Sequence, residues 1–217
     1  MTDFRQDFIR FAAAHRALLF GEFVTKAGRT TPYFFNAGMF ATGAALAQLC
    51  EFYAKAIRAT AIEFDVLFGS AYKGIPLAAG VAMCLARDGR DVPFSYNRKE
   101  AKDHGEGGVV IGAPLKGRVL IIDDVISAGT SVRESVAIIR ALDAQPCGVA
   151  IALDRMERGS SALSAVQEVE QSYAMPVISI ATLDDLIAYL RTEPDRTQQL
   201  NSVVAYRERY GISARVR

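Results

Sequence analysis

The chain has 217 residues, of which 51% are hydrophobic and 23% charged, which suits one domain with a full core and excludes a disordered protein. Its 25 basic residues nearly balance its 24 acidic ones, so any anion binding must come from local placement of charge. No apolar stretch approaches the ~20 residues that a membrane span requires, and the N-terminus lacks the apolar core of a signal peptide. We therefore expect a cytoplasmic protein that binds neither nucleic acid nor membrane.

The three cysteines, Cys50, Cys84 and Cys147, lie far apart in apolar stretches and form no C-x-x-C pair. With two histidines in the chain and no cluster of metal-ligand residues, the pattern favours three small core residues in a reducing compartment. A disulfide or a catalytic thiol is the less favoured alternative, because free cysteine is among the most buried residue types.

The first part of the chain predicts two helices separated by strands. Apolar residues at helical spacing predict a helix from Asp3 to about Leu19. The Gly- and Pro-punctuated stretch 20–36 predicts short strands or hairpin arms. Residues Gly43 to about Ala59 are rich in Ala and Leu and predict the second helix.

From residue 64 onwards, predicted strands and helices alternate. The strands are 64–68, 92–96, 118–123, 148–153 and 177–181, and the helices are 74–87, 130–144 and 183–190. Strands of continuous Val, Ile and Leu are typical of a parallel sheet buried on both faces, and the alternation predicts an open, doubly wound α/β domain. Ligands of such domains bind beyond the carboxyl ends of the strands, so the loops after Phe68, Tyr96 and Ile122 are the candidate binding loops.

The turn after the apolar strand 119–122 carries the strongest functional signal. Two aspartates follow the strand directly, and adjacent carboxylates are costly there unless they meet partners such as hydroxyls or a cation. Residues 127–131 are small and lead into a helix, so backbone N–H groups and the helix dipole offer a cradle for phosphate. The turn lacks the Lys of a Walker loop and the pattern of a dinucleotide site. Two solvated acids followed by a helix cap are the plain alternative.

The order of these residues resembles the phosphoribosyl-pyrophosphate motif of the type I phosphoribosyltransferases: four apolar residues, two acids, two apolar residues and then Ser-Ala-Gly-Thr-Ser. In that family the acids hold the ribose hydroxyls and the turn holds the 5′-phosphate. The resemblance implies the first role for Asp123 and Asp124. It assigns the remaining donor contacts to Val125, Ile126, Ser127, Ala128, Gly129, Thr130 and Ser131. Ser127 stands where Thr is more usual, but the hydroxyl is kept, and we expect it to contact the base.

The loop after Phe68 reads Gly-Ser-Ala-Tyr-Lys-Gly. Glycine lets the backbone approach a ligand closely, and Lys73 adds a positive charge near the sheet end. From these residues alone, an ordinary strand-to-helix turn with a solvated lysine is at least as good an interpretation. The resemblance implies that Tyr72 and Lys73 contact the diphosphate, in some family members through a strained or cis peptide.

The segment 96–108 concentrates basic residues and lacks apolar anchors, so we expect a mobile loop. A solvated charged loop is the usual interpretation, although a cationic loop flanked by Gly is also typical of a lid over a polyanion. The order Arg-Lys-x-x-Lys-x-His-Gly resembles the catalytic loop of orotate phosphoribosyltransferases. The resemblance implies that Arg98, Lys99, Lys102 and His104 bind the donor and neutralise the departing pyrophosphate, with His104 as an alternative proton donor. Arg98, Lys102, His104 and Asp124 are then the expected catalytic residues.

Two further segments extend the resemblance over essentially the whole chain. Residues 20–36 resemble the N-terminal substrate hood of these enzymes. This hood carries Lys26, assigned to the donor, and Phe34 and Phe35, assigned to orotate through apolar or backbone contacts. Without the resemblance, the phenylalanine pair would be interpreted as part of a core strand. Arg155 matches the orotate-contacting arginine of the family, and its planar fork suits a carboxylate.

The resemblance implies a type I phosphoribosyltransferase fold in one domain over residues 1–217, with a hood formed by about 1–40 and part of the C-terminal region. The implied reaction joins orotate to phosphoribosyl pyrophosphate and yields orotidine 5′-phosphate and pyrophosphate, a step of pyrimidine biosynthesis. Mg²⁺ is the implied cofactor, held mainly by substrate oxygens and through water by Asp123 and Asp124. A homodimer that shares lid residues between subunits is also implied. The alternatives are transfer to another base, or a non-catalytic regulator that senses phosphoribosyl pyrophosphate.

Overall fold

The computed structural model describes residues 3–25, 28–102, 108–159 and 162–212, with only the backbone of 99–102. The strands are β1 (Leu18–Val24), β2 (Thr30–Phe35), β3 (Val66–Gly69), β4 (Phe94–Lys102), β5 (Gly108–Gly112), β6 (Arg118–Ile122), β7 (Gln145–Asp154) and β8 (Val177–Thr182). The α-helices are α1 (Phe4–Ala14), α2 (Gly43–Arg58), α3 (Gly74–Arg87), α4 (Thr130–Ala141), α5 (Ala165–Tyr173), α6 (Leu183–Arg191) and α7 (Thr197–Tyr210).

Six strands form the central sheet in the order β5-β4-β3-β6-β7-β8. Neighbouring strands pair in parallel except β4 and β5, which are antiparallel. Helices cover both faces of this sheet, because Leu120 and Ile122 of β6 pack in one apolar cluster whereas Val119 and Ile121 pack in another. The predicted α/β architecture, a mostly parallel sheet flanked by helices, is confirmed.

A separate two-stranded sheet forms beside the central one, where β1 and β2 pair antiparallel as the hairpin predicted for 20–36. The first and last helices of the described chain pack against it, since α1 contacts β1 and α7 contacts β2. At the second contact the buried ring of Tyr33 meets the ring of Tyr206 edge-on, with centroids 6.2 Å apart. This hairpin, called the hood below after its predicted role, therefore packs against helices from both ends of the described chain.

Two predicted helices are shorter than expected. The first ends at Ala14 instead of about Leu19, because Arg16 has a φ of 57° and Leu18 already begins β1. The fourth ends at Ala141 instead of Ala144, and Asp143 has a φ of 57°. A positive φ cannot continue a right-handed helix. Helices α5 and α7 were not predicted, since polar residues interrupt their apolar spacing.

The expected loop after Tyr96 is wrong over most of its length. β4 continues to Lys102 and β5 begins at Gly108, with Tyr96 opposite Ile111 and Asn97 opposite Val110. The charged residues of β4 lack the apolar alternation by which a strand is recognised in sequence. The short apolar run after Gly108 forms β5, the strand that pairs with it. The described part of the basic segment thus belongs to a strand that pairs with the edge strand β5. Residues 103–107 lie outside the described residues.

The cysteines fit the expectation of core residues. Cys50 and Cys84 are buried and Cys147 is partly buried, all three as free thiols. Burial raises the pKa of Cys50 to about 12 and that of Cys147 to about 11, so both thiols stay protonated and unreactive near neutral pH. In the described parts of the chain, every helix is too short or too polar to cross a bilayer.

Candidate active site

Three loops meet at the carboxyl edge of the sheet. β3, β6 and β7 are parallel neighbours, so the loops that follow them, 70–73, 123–129 and 155–158, emerge side by side. The first two carry the residues that the sequence assigned to the donor, and the third begins with Arg155. The strand order therefore brings the predicted donor and acceptor residues to one edge.

Asp123 is buried and braced from several directions. Its Oδ1 accepts from the backbone N–H of Asp124 at 2.9 Å, and its Oδ2 accepts from the hydroxyl of Ser131 at 2.6 Å. The hydroxyl of Tyr53 donates to its backbone oxygen at 2.7 Å. Burial raises the pKa of Asp123, an effect that the Ser131 hydrogen bond opposes. The carboxylate is consequently held in place at a cost in stability.

That cost predicts a stability gain in Asp123→Asn. A carboxyl whose pKa is raised by folding stabilises the fold while protonated, and this stability is lost as pH rises through the folded pKa. The melting temperature of the variant should exceed the wild type at pH 7, by about 2–4 °C for each kcal/mol gained. The gain should shrink as pH is lowered towards the unfolded pKa of 3.8. Thermal scans across this range test it, and a gain independent of pH would contradict the charge as its cause.

Asp124 joins the turn after β6 to the loop after β3. Its Oδ2 lies 2.6 Å from Nζ of Lys73, and its Oδ1 accepts from the N–H of Val125 at 2.9 Å. The Asp124 side chain is 11% exposed, whereas that of Lys73 is 53% exposed. The lysine therefore presents charge to solvent at the sheet edge while the carboxylate fixes its position.

The loop after β3 is packed tightly against the strand beside it. A Cβ on Gly74 would lie 2.4 Å from the backbone oxygen of Ile122, and one on Gly69 would lie 2.4 Å from the backbone oxygen of Gly74. Between these glycines the Ala71–Tyr72 peptide is cis, and the N–H of Ala71 donates to Oδ1 of Asn97 at 2.8 Å. Only glycine allows this approach. The side chain of Tyr72 is 67% exposed.

The predicted phosphate turn ends at an uncapped helix. Gly129 has a φ of 67° and precedes the first residue of α4, whose N-terminus has no side-chain cap. Its first N–H groups are therefore free of side-chain competition for an anion. Ser127, Ala128 and Thr130 are exposed beside it. Val125 and Ile126 pack into the core, so these two can reach a phosphate only through their backbone.

The acceptor residues differ in accessibility. Phe34 is 43% exposed and stacks on Phe23, with ring centroids 5.5 Å apart. Phe35 is buried against Phe8, so its side chain belongs to the core and only its backbone remains for a ligand. The guanidinium carbon of Arg155 lies 4.4 Å from the ring centroid of Tyr33.

The remaining predicted residues belong to the basic hairpin and the hood. Arg98 is partly buried on β4. Lys26 and His104 lie outside the described residues, as do the side chains of Lys99 and Lys102. Their assignments stay predictions.

Four residues that support the site were not predicted from the sequence, namely Thr31, Tyr53, Asn97 and Glu157. Three of these contacts join residues far apart in sequence, and Glu157 depends on a local turn with no recognisable motif. Among the described residues, no group of three or more His, Cys, Asp or Glu side chains could hold a metal.

Comparison with known proteins identifies related chains. Residues 36–176 match the phosphoribosyl transferase domain family. An orotate phosphoribosyltransferase from Laribacter hongkongensis is 67% identical over 98% of this chain and 100% of its own, and one from Chromobacterium violaceum is 65% identical over 98% and 99%. A crystal structure of the Francisella tularensis orotate phosphoribosyltransferase is 39% identical and has a TM-score of 0.87 over 95% of this chain and 100% of that one.

Proposed function

Since the chain belongs to the orotate phosphoribosyltransferase family, we propose that it transfers the 5-phosphoribosyl group from phosphoribosyl pyrophosphate to orotate, giving orotidine 5′-phosphate and pyrophosphate in pyrimidine biosynthesis. The observation that supports this function most strongly is the contact between the loop after β3 and the turn after β6 at the carboxyl edge of the sheet. There the Lys73–Asp124 ion pair links a loop suited to diphosphate with a turn suited to ribose 5-phosphate.

The donor residues divide by the part of the donor that they bind. Asp123 and Asp124 accept from the ribose hydroxyls, the backbone of 125–131 binds the 5′-phosphate at the start of α4, and Tyr72 and Lys73 contact the diphosphate. Loss of pyrophosphate leaves positive charge on the sugar ring, which adjacent carboxylates stabilise electrostatically. Much of the catalysis is thus positioning of the donor before reaction.

The lid residues act on the leaving group. Arg98, Lys99, Lys102 and His104 neutralise the pyrophosphate as its bond to the anomeric carbon breaks, and His104 is the alternative proton donor. Support comes from the hairpin of β4 and β5, which carries this segment at the same carboxyl edge, beside the diphosphate loop. A basic segment on a hairpin can close over a polyanion while its base stays paired with the sheet.

The acceptor lies on the hood side. Arg155 binds the orotate carboxylate, for which a planar guanidinium fork is well suited. Phe34 contributes an exposed ring and Phe35 its backbone, while the exposed hydroxyl of Ser127 contacts the base from the donor turn. In this proposal, the ring nitrogen of orotate that attacks the sugar faces the anomeric carbon of the donor.

Mg²⁺ is the proposed cofactor. The available donors, two adjacent carboxylates on one turn, fit a hard cation that takes most of its ligands from phosphate oxygens and water. Asp123 and Asp124 would hold it through water. When bound, it supplies positive charge that stabilises the departing diphosphate.

We also propose a cytoplasmic homodimer in which lid residues and Lys26 of one subunit complete the site of the other. The resemblance of the lid and hood to the family supports the shared site, and three free thiols are consistent with a reducing compartment. A dimer by analytical ultracentrifugation is the expected result, and a monomer at all concentrations would refute it.

The reaction itself is tested by mixing the protein, Mg²⁺, phosphoribosyl pyrophosphate and orotate and following the ultraviolet absorbance of orotate. We expect absorbance to fall, and EDTA to stop the reaction until Mg²⁺ is restored in excess. Adenine, hypoxanthine and uracil under identical conditions are the matched controls. Turnover of one of these bases without turnover of orotate would overturn the acceptor assignment, and binding of the donor without any turnover would favour a sensor.

A further inference from the structure

The segment after β7 brings Arg155 and Glu157 together. The carboxylate of Asp154 accepts from the N–H of Met156 at 2.9 Å, and Met156 has a φ of 49°, so the chain turns sharply after Arg155. The turn sets Oε1 of Glu157 against Nε of Arg155. The two side chains are only 18% and 17% exposed, so water and salt screen this ion pair weakly.

The C-terminal helix α7 holds the other oxygen of Glu157. The hydroxyl of Tyr206 donates to Oε2, while Oε1 is occupied by Arg155. Burial, reinforced by the hydrogen bond to Glu157, raises the pKa of Tyr206. The hydroxyl therefore remains a donor at neutral and mildly alkaline pH, and both carboxylate oxygens are fixed.

Backbone hydrogen bonds hold this helix in register with the turn. The N–H of Arg158 donates to the oxygen of Tyr210, and the N–H of Ile212 donates to the oxygen of Met156, both at 2.9 Å. The end of α7 and the segment carrying Glu157 thus form one unit. The backbone at the end of α7 therefore cannot shift away from the segment that carries Glu157 without breaking these bonds.

The hood fixes the guanidinium from another direction. Nη2 of Arg155 donates to the hydroxyl of Thr31 at 3.0 Å, and that hydroxyl itself donates to the backbone oxygen of Tyr33 at 3.1 Å. The Tyr33 ring covers the guanidinium, at 4.4 Å from centroid to Cζ. The contacts to Thr31 and Glu157 use two of the five N–H donors of a guanidinium, which leaves donors for a planar carboxylate.

We propose that Glu157 and Tyr206 are positioning residues that orient Arg155 for the carboxylate of the acceptor, so that α7 helps to set selectivity for acceptors that carry a carboxylate. The inference rests on the proposed function, because it takes Arg155 as the acceptor-binding arginine. A long side chain held in one orientation before binding loses less conformational freedom when the ligand arrives. Glu157 contributes through Arg155 and not by touching the substrate.

The test compares Glu157→Leu and Glu157→Gln with the wild type, with orotate and phosphoribosyl pyrophosphate varied separately. Leucine removes the acceptor for Nε, so KM for orotate should rise about tenfold or more, while KM for the donor and kcat at saturation stay near the wild type. Glutamine keeps an oxygen for Nε and should restore most of the lost affinity. Tyr206→Phe should raise KM for orotate less, because it loosens only one oxygen of Glu157.

A second measurement tests whether the effect depends on the carboxylate of the acceptor. Uracil is the orotate ring without this group, so the ratio of kcat/KM for orotate to that for uracil should fall in Glu157→Leu and recover in Glu157→Gln. Asp184→Asn is the matched control. Asp184 of α6 binds Arg207 of α7, the helix that carries Tyr206, at 2.9 Å, and it does not bind Arg155. Its ratio should equal that of the wild type.

Several results would overturn the positioning role. A lower KM for orotate in Glu157→Leu would mean that Glu157 competes with the substrate for Arg155. An unchanged KM in Glu157→Leu, or an equal rise in Asp184→Asn, would make the contact merely structural. Failure of the wild type to convert orotate would instead refute the proposed function. If Glu157→Leu does not fold, the outcomes for Glu157→Gln and Tyr206→Phe still decide the question, because a wild-type KM for orotate in Tyr206→Phe contradicts the proposal.

Discussion

Lys102→Ala is expected to lower kcat about 10²- to 10³-fold, the usual effect of removing one group that stabilises charge in a transition state. The physical reason is that the lysine neutralises pyrophosphate as it departs, when its negative charge grows. KM for orotate should change little, since the interaction is made mainly in the transition state. Steady-state kinetics with both substrates measures the effect.

The fold should be unaffected by this change, because β4 pairs with β3 through residues 94–96, well before position 102. The melting temperature should accordingly match that of the wild type. Lys116→Ala is the control, since Lys116 is an exposed lysine just before β6, at the end of the sheet opposite the site. Unchanged turnover in Lys102→Ala would remove the basic hairpin from the mechanism.

Asp124→Asn is expected to lower kcat/KM for phosphoribosyl pyrophosphate about 10²-fold or more. Asparagine keeps an oxygen for the N–H of Val125, but it removes the charge that fixes Lys73. In the proposed function, that charge also stabilises the positive sugar in the transition state. The loss should appear in the donor kinetics at every orotate concentration. A kcat/KM for phosphoribosyl pyrophosphate within threefold of the wild-type value would contradict a role for this carboxylate.

Asp65→Asn is the matched control for the loss of an acidic residue. Asp65 immediately precedes β3 and pairs with Arg118 at 3.2 Å, at the amino end of the strands and thus opposite the site.

Mixing Asp124→Asn with Lys102→Ala also tests the proposed dimer. If lid and turn come from different subunits, mixed dimers contain one site free of both changes and activity returns. A mixture as inactive as its parents would contradict the shared site.

The sequence was most informative where one local pattern determines the structure. The apolar run 119–122 could only be an interior strand, and the small residues after it predicted the turn into α4. The two acids were expected to need partners, and the structure shows both of them buried. Helix α3 was predicted with its observed bounds, 74–87, because glycine and arginine mark its ends. Recognition of the family motif then related these local features to a substrate.

Contacts between distant parts of the chain were beyond such reasoning. The burial of Phe35 beside the exposed Phe34 depends on α1 packing beneath β2, and period-2 alternation alone does not say which face is covered. The pairing of Glu157 with Tyr206 joins residues 49 positions apart. The extension of β4 through the basic segment could not be predicted locally, because it depends on pairing with β5.

The close approach of Gly74 to Ile122 has a consequence for how the donor is selected. There is no room for even one methyl group between the start of α3 and the end of β6. In the proposed function, the distance between the diphosphate and ribose-phosphate subsites is therefore set when the chain folds. Binding therefore does not have to order the loops relative to each other, and the associated entropy is not lost again with every turnover. We therefore expect a molecule with a single phosphate at the anomeric position to bind less tightly than phosphoribosyl pyrophosphate, because it cannot contact both proposed subsites fully.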